Sequence, residues 1–123
     1  MSKKILVVDD ETAITKMVEI RLRAAGYDVV LAHDGQEGLE KAKTENPDLM
    51  ILDLMLPKMD GFKVCGLLKA DARYKKIPII IYTARVQESD QHLGKEVGAD
   101  AYLTKPFDPQ VLLGKIKSLL GDL

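Results

Sequence analysis

Five short runs of consecutive apolar residues occur along the chain, each followed by a more polar segment. The runs are Ile5 to Val8, Val29 to Ala32, Leu49 to Leu52, Ile77 to Tyr82 and Ala101 to Leu103. Because these runs lack the polar alternation of a half-exposed strand, they predict strands buried on both faces. The regular alternation with helical segments predicts an α/β fold, in which helices cover both faces of a doubly wound, five-stranded parallel sheet.

The segments after these runs show apolar residues near the helical period. The predicted helices carry Ile14, Met17, Val18, Leu22 and Ala25; Leu39 and Ala42; Phe62, Cys65 and Leu68; a polar stretch from Ser89 to Val97; and Leu112, Ile116, Leu119 and Leu120. Gly26 is a suitable stop for the first helix, and Asp108-Pro109 is typical of a helix start. The length predicts one domain, residues 1–123.

Polar residues that could take part in binding or catalysis stand at the ends of four of the predicted strands. Asp9 and Asp10 follow the first, Asp53 ends the third, Thr83 follows the fourth and Lys105 follows the fifth. Sheets of this kind bind ligands beyond the carboxyl ends of their strands. If the first and third strands are neighbours, three carboxylates converge there, and their mutual repulsion calls for a neutralising cation.

The predicted donor set favours magnesium, because it contains carboxylate oxygens and no nearby histidine or cysteine. Lys105 would add a second positive charge. A carboxylate surrounded by a hydroxyl, an ammonium group and a metal is suited to phosphoryl transfer, and Asp53 can itself be the nucleophile.

Each of these residues also has a purely structural explanation. Asp9 and Asp10 can cap the first helix, Asp53 can be a solvated strand end, and Thr83 can be an ordinary turn hydroxyl. Their joint occurrence at the edge where this sheet architecture places ligands favours the functional interpretation.

The composition of the chain limits the cellular compartments and the partners to be expected. The formal net charge is −1, with no basic footprint for nucleic acid, and the lone Cys65 has no partner for an internal disulfide. The basic start, Met1 to Lys4, precedes only four apolar residues, too few for a signal peptide or a membrane span. We therefore expect a cytoplasmic protein that contacts neither nucleic acid nor membrane directly.

Over nearly its full length the chain resembles the receiver domain of two-component response regulators. The matching segments are residues 5–11, 47–61, 78–84 and 98–107. The resemblance implies a flavodoxin-like (βα)5 sandwich with strand order 2-1-3-4-5. It also implies that Asp53 accepts a phosphoryl group from a phosphohistidine on a sensor histidine kinase or phosphotransfer protein.

The resemblance further implies the ligands of a magnesium ion. Asp10, Asp53 and the backbone carbonyl of Met55 would hold Mg²⁺ directly, and Asp9 would hold it through water. Lys105 would contact the phosphoryl oxygens. The protein would catalyse only its own phosphorylation and dephosphorylation, and so would not be an enzyme acting on other substrates.

Three further residues would form the switch that the resemblance implies. Thr83 would move to the phosphoryl group, Tyr102 would turn inward behind it, and Pro106 would shape its loop through a cis bond to Lys105. Helix four, strand five and helix five would form the output face toward a downstream effector protein or a fused output domain.

Several positions on that output face bear on whether the protein is a monomer or a dimer. Leu93, Ala101 and Val111 lie where charged residues pair in dimers of the transcription-factor branch, although Asp100 and Lys115 remain. We therefore expect a monomer that docks a protein partner, with a phosphorylation-dependent dimer as the alternative.

Two other functional readings remain open. A degenerate receiver would act as an unphosphorylated docking module. An aspartyl-phosphate phosphatase of the haloacid-dehalogenase type is less well supported, because Met55 stands where that family needs a second acid.

Met55 and Arg85 lie beside the predicted site and are poor at orienting a water molecule, which favours a slowly decaying phosphate.

Overall fold

The computed structural model describes residues 2–84, 97–105 and 108–121. Within these ranges the strands are β1 (Lys4–Val8), β2 (Asp28–Ala32), β3 (Leu49–Asp53), β4 (Ile79–Thr83) and β5 (Ala101–Thr104). The helices are α1 (Thr12–Ala24), α2 (Gly35–Thr44), α3 (Gly61–Lys69) and a C-terminal helix (Pro109–Leu120). Of the polar helix predicted from Ser89 to Val97, residues 89–96 lie outside the described residues, and Val97 lies in a turn.

All neighbouring strands of the sheet are parallel, in the order β2-β1-β3-β4-β5. Strand β3 is central, and each of its five residues is buried. Val8 at the end of β1 is in register with Leu52, and Tyr82 is in register with Asp53. The predicted fold class and the strand order implied by the resemblance are both confirmed.

Each face of the sheet has its own apolar core. Ile5 and Val7 of β1 pack on the side of α1 and the C-terminal helix, whereas Leu6 and Val8 pack on the side of α2 and α3. Cys65 belongs to the second core, where its thiol donates to the Val97 carbonyl at 3.8 Å. Burial raises the pKa of this thiol to about 11.

Two details of the predicted pattern are wrong. Met17 is 45% exposed, and Thr15 takes the inward position of α1 because its hydroxyl donates to the Thr12 carbonyl at 2.9 Å. Strand β4 begins at Ile79 and not at Ile77. The amide of Ile77 bonds back to Tyr74 in a turn, and Pro78 has no N–H to donate to a neighbouring strand.

The helix ends follow from local side chains. Asp108 caps the C-terminal helix by accepting from the Gln110 amide at 2.8 Å, with Pro109 in the first turn, as predicted. Gly121 ends this helix in the left-handed conformation, at φ 74°. None of the helices in the described ranges combines the length and the apolar character needed to cross a membrane.

A half-buried lysine fixes the edge of the sheet where β4 and β5 begin. The Lys69 ammonium donates to the Ile77 carbonyl at 2.7 Å and to the Asp100 carboxylate at 2.9 Å. The same Asp100 oxygen accepts from the Ile79 amide at 2.8 Å. Asp100 is therefore engaged within the chain, at the edge of the sheet opposite Asp53.

Candidate functional site

Three carboxylates meet at the carboxyl edge of the sheet, where β1 lies beside β3. One oxygen from each of Asp9, Asp10 and Asp53 lies within 4.8 Å of the others. Asp9 is 0% exposed and Asp53 is 4% exposed, whereas Asp10 is open to solvent. The predicted convergence of the three acids is confirmed.

Lys105 reaches into this cluster from the segment after β5. Its ammonium lies 2.8 Å from Asp9 Oδ2 and 3.2 Å from Asp53 Oδ2, and its side chain is only 9% exposed. The Lys105 amide donates to the Thr83 carbonyl at 2.7 Å, which fixes the backbone from which the side chain extends. The lysine therefore neutralises part of the charge that the fold concentrates here.

The environment of Asp53 disfavours its charged form. Burial and the nearby negative charge of Asp9 raise its pKa to about 6, although Lys105 and the Met55 amide act in the opposite direction. For Lys105, burial alone would lower the pKa. The hydrogen bond to Asp9 and the attraction of Asp53 outweigh burial, so the pKa of Lys105 lies above its usual value.

This shift predicts how stability depends on pH. Between about pH 4 and pH 6 the folded chain holds a proton on Asp53 that the unfolded chain releases, so stability falls as the pH rises through this range. In metal-free protein at pH 7.5, Asp53→Asn should raise the free energy of unfolding by about 2 kcal/mol and flatten this slope. Urea denaturation with a chelator present measures both effects.

The matched control for that measurement is Asp60→Asn. Asp60 is an exposed N-cap whose carboxylate accepts from the Lys63 amide at 3.0 Å, and asparagine caps a helix equally well. It should leave stability nearly unchanged. Equal stability of the parent and Asp53→Asn at pH 7.5 would contradict the prediction.

The loop between β3 and α3 carries backbone groups to the cluster. The Met55 amide donates to Asp53 Oδ1 at 3.3 Å, and the Met55 side chain is 60% exposed. The Gly61 amide donates to the Leu54 carbonyl at 2.9 Å, which closes the loop tightly. A Cβ at Gly61 would overlap the Asp53 carbonyl oxygen and lie 2.9 Å from the Leu54 Cα, so glycine is required there.

The same loop rests on the start of α2. The Gly35 amide donates to the Pro57 carbonyl at 3.3 Å, and a Cβ at Gly35 would overlap the Met59 carbonyl oxygen. Lys58, at φ 69°, lies with its ammonium 3.6 Å from Asp34 Oδ2. These contacts hold the Met55 backbone close to the carboxylates.

Tyr82 is a member of the site that the sequence pattern did not reveal. It is fully buried, and its hydroxyl donates to Asp9 Oδ2 at 2.7 Å. The Lys105 ammonium lies 4.6 Å from the centre of its ring. A tyrosine within a run of isoleucines is itself a signal, because a buried phenol needs a hydrogen-bond partner.

Of the three residues assigned to the switch, the structure describes Thr83 and Tyr102. Thr83 is buried at the end of β4, in register with Thr104. Tyr102 is half-buried on β5 and packs against the core on the α2 and α3 side. Pro106 lies outside the described residues, as does Arg85.

The residues considered for assembly are only partly described. Ala101 is half-buried, Val111 is exposed on the C-terminal helix, and Leu93 lies outside the described residues. Asp100, which could otherwise pair across a dimer, is bonded to Lys69.

The donors present at the cluster fit a hard divalent cation. Among the described residues they are carboxylate oxygens of Asp9, Asp10 and Asp53, with no sulfur or imidazole ligand. Two of the acids are buried, so a cation between them would relieve a repulsion that solvent screens poorly. Magnesium is the hard cation that binds through few carboxylates while keeping several waters.

An open parallel sheet of order 2-1-3-4-5 binds its ligands beyond the carboxyl ends of its strands, where the acidic cluster of this chain lies. Comparison with known proteins identifies the family. The family model described as "Response regulator receiver domain" matches residues 5–117. The chain belongs to this family, the receiver domains of two-component response regulators.

Individual relatives support the assignment. The alkaline phosphatase synthesis transcriptional regulatory protein PhoP of Bacillus subtilis is 50% identical over 122 residues, which are 98% of this chain and 49% of that protein. The chain thus spans about half the length of such curated relatives.

Solved structures agree with the fold over nearly the whole chain. A response regulator from Chloroflexus aurantiacus has a TM-score of 0.93 at 37% identity, covering 98% of this chain and 99% of that one. The chemotaxis protein CheY4 of Vibrio cholerae has a TM-score of 0.91 at 38% identity, covering 98% of this chain and 100% of that one.

Proposed function

We propose that this receiver domain accepts a phosphoryl group on Asp53, with Mg²⁺, from a phosphohistidine of a sensor histidine kinase or phosphotransfer protein. The observation that carries the proposal is the Lys105 ammonium held between Asp9 and Asp53, beside a third carboxylate, Asp10, that completes a group of acids suited to a cation. Asp53 ends the central strand, so its position is fixed by the core of the sheet.

The transfer consists of one displacement at phosphorus. An oxygen of Asp53 attacks the phosphorus atom, the P–N bond of the phosphohistidine breaks with its electron pair passing to the imidazole, and an acyl phosphate forms. Lys105 lies 3.2 Å from Asp53 Oδ2, where its charge can stabilise the phosphoryl oxygens. Later attack by water on phosphorus releases phosphate and restores the carboxylate. In this proposal the chain catalyses only its own phosphorylation and dephosphorylation.

The residues that would hold Mg²⁺ are Asp10, Asp53 and the Met55 carbonyl, with Asp9 acting through water. A bound Mg²⁺ supplies positive charge that offsets the charge of the phosphoryl oxygens. The exposure of Asp10 and the bond from the Met55 amide to Asp53 support this assignment. The full burial of Asp9 and its bonds to Lys105 and Tyr82 agree with a less direct role.

Phosphorylation would then act as a switch through charge. The modified Asp53 carries nearly two negative charges and new acceptor oxygens, which can hold the Thr83 hydroxyl and the Lys105 ammonium. Moving a population from mostly inactive to mostly active needs about 5 kcal/mol of differential contact. Tyr102 and Pro106 are the other residues that we assign to this switch.

The output would pass to an effector protein or to an output domain of the same polypeptide, through the face that includes β5 and the C-terminal helix. The transcriptional regulator PhoP, twice the length of the matched region, supports the second arrangement. The exposed Val111 and the internal pairing of Asp100 with Lys69 support docking of a protein partner over a dimer built on paired charges.

The test is labelling of the chain by radioactive acetyl phosphate, with and without Mg²⁺. The parent should be labelled only with Mg²⁺, and Asp53→Ala should lose essentially all label, because the carboxylate oxygen is the attacking atom. Asp60→Asn, which alters an exposed acid outside the cluster, should be labelled like the parent. Magnesium-dependent label on Asp53→Ala would overturn the assignment, and an unlabelled parent would favour a docking module without phosphorylation.

A further inference from the structure

Asp9 and Lys105 share a third partner, the phenol of Tyr82. The Tyr82 hydroxyl and the Lys105 ammonium both donate to Asp9 Oδ2, at 2.7 Å and 2.8 Å. The second oxygen, Asp9 Oδ1, accepts from the Glu11 amide at 2.9 Å. A fully buried carboxylate is thus held by three donors from three different segments of the chain.

The phenol of Tyr82 is a permanent hydrogen-bond donor in this arrangement. A phenol carries its proton at neutral pH, so the Tyr82 hydroxyl is a donor to Asp9. The ring lies beneath the Lys105 ammonium, with 4.6 Å between the nitrogen and the ring centre. Tyr82 therefore contacts both partners of the Asp9–Lys105 ion pair.

We propose that Tyr82 is a positioning residue that sets the electrostatic balance of this site, holding Asp9 toward Lys105 and away from the cation. The inference rests on the proposed magnesium-dependent phosphorylation of Asp53. The hydroxyl directs the positive end of its dipole at Asp9, so it weakens the attraction of the three acids for Mg²⁺ and strengthens the attraction of the site for an anionic phosphoryl group.

Loss of the Tyr82 hydroxyl should change the affinity for Mg²⁺ and the affinity for an anionic phosphoryl mimic in opposite directions. A general loss of structure would weaken both. Removing the hydroxyl while keeping the ring, in Tyr82→Phe, leaves Asp9 with more uncompensated negative charge. Mg²⁺ should then bind more tightly, by about threefold to tenfold, the scale of one hydrogen bond. At saturating Mg²⁺, beryllofluoride, an anionic mimic of the phosphoryl group, should bind more weakly by a similar factor. A site that had merely loosened would bind both probes more weakly.

The experiment is titration of the 123-residue chain with Mg²⁺ and then with beryllofluoride, by calorimetry and amide NMR. The control is Tyr27→Phe, which removes another buried phenol next to the first residue of β2, at the opposite edge of the sheet. It should leave both affinities within twofold of the parent values. A second measurement needs no variant, because the ¹³Cζ resonance of Tyr82 should shift on Mg²⁺ saturation while that of Tyr27 does not.

The outcomes separate this inference from the proposed function. Tighter Mg²⁺ and weaker beryllofluoride in Tyr82→Phe support the role of Tyr82. Unchanged affinities, parallel weakening of both probes, or a Tyr82 resonance indifferent to Mg²⁺ overturn that role while the labelling of Asp53 stands. A parent chain that binds no Mg²⁺ overturns both the metal-dependent function and the role of Tyr82.

Discussion

Replacing Lys105 with methionine is expected to lower the free energy of unfolding of the metal-free chain by about 3 kcal/mol, because it leaves two buried carboxylates without their cation. The lysine lies 2.8 Å from Asp9 and 3.2 Å from Asp53, both nearly inaccessible to solvent. Methionine keeps the apolar stem that packs in the site but removes the charge. Urea denaturation at pH 7.5 measures the difference between the two chains.

Saturating Mg²⁺ should restore much of the stability that Lys105→Met loses, since a bound cation offsets the same repulsion. The control is Lys69→Met, which removes a lysine bonded to Asp100 and to the Ile77 carbonyl at the opposite edge of the sheet. This variant should also be destabilised, but Mg²⁺ should stabilise it no more than it stabilises the parent. Equal recovery of the two variants, or no recovery of Lys105→Met, would show that Lys105 does not neutralise a cation site.

A second large effect is expected from one methyl group at Gly61. The added Cβ would overlap the Asp53 carbonyl oxygen and crowd the Leu54 Cα, both of which are backbone atoms that cannot rotate away. Gly61→Ala should therefore lower the free energy of unfolding by about 3 kcal/mol. It should also displace the end of β3, so we expect labelling of Asp53 by acetyl phosphate to slow at least about tenfold.

The matched control is the same substitution at Gly114, in the exposed middle of the C-terminal helix. Apart from the backbone of its own helix, no atom of the described residues lies within 4 Å of a Cβ placed there, and alanine is the better helix former. Gly114→Ala should raise stability by about 0.5–1 kcal/mol and leave labelling unchanged. If both variants gave the same sign of stability change, contact with the β3 backbone would not be the cause at Gly61.

The sheet was predictable because its strands are unambiguous. A run such as Ile5 to Val8 has no polar side to expose, so a parallel sheet covered on both faces is the arrangement that buries it fully. The inward faces of the helices were less predictable where a polar side chain forms a hydrogen bond within its own helix and can therefore be buried. Thr15 is buried because its hydroxyl bonds within its own helix, and hydropathy alone assigned that face to Met17.

The acidic cluster was predictable from topology, because adjacent parallel strands bring their carboxyl ends together. The role of Tyr82 was not, since its bond to Asp9 spans 73 residues and crosses beneath the neighbouring strand β3. A strand pattern specifies which face a side chain occupies but not how far its polar end reaches. Likewise, the contact of Gly35 with the β3–α3 loop depends on the packing of two segments and leaves no periodic signal in the sequence.

Cys65 gives the chain a practical property for spectroscopy. Its thiol is the only one in the sequence. It is buried on α3, where it donates to the Val97 carbonyl, and a pKa of about 11 keeps it protonated at neutral pH. Maleimides and other thiolate-directed reagents should therefore leave the parent chain unmodified. A cysteine introduced at an exposed position such as Ile20 or Val111 would then be the single reactive group for a dye or spin label, with no need to remove the native thiol from the core.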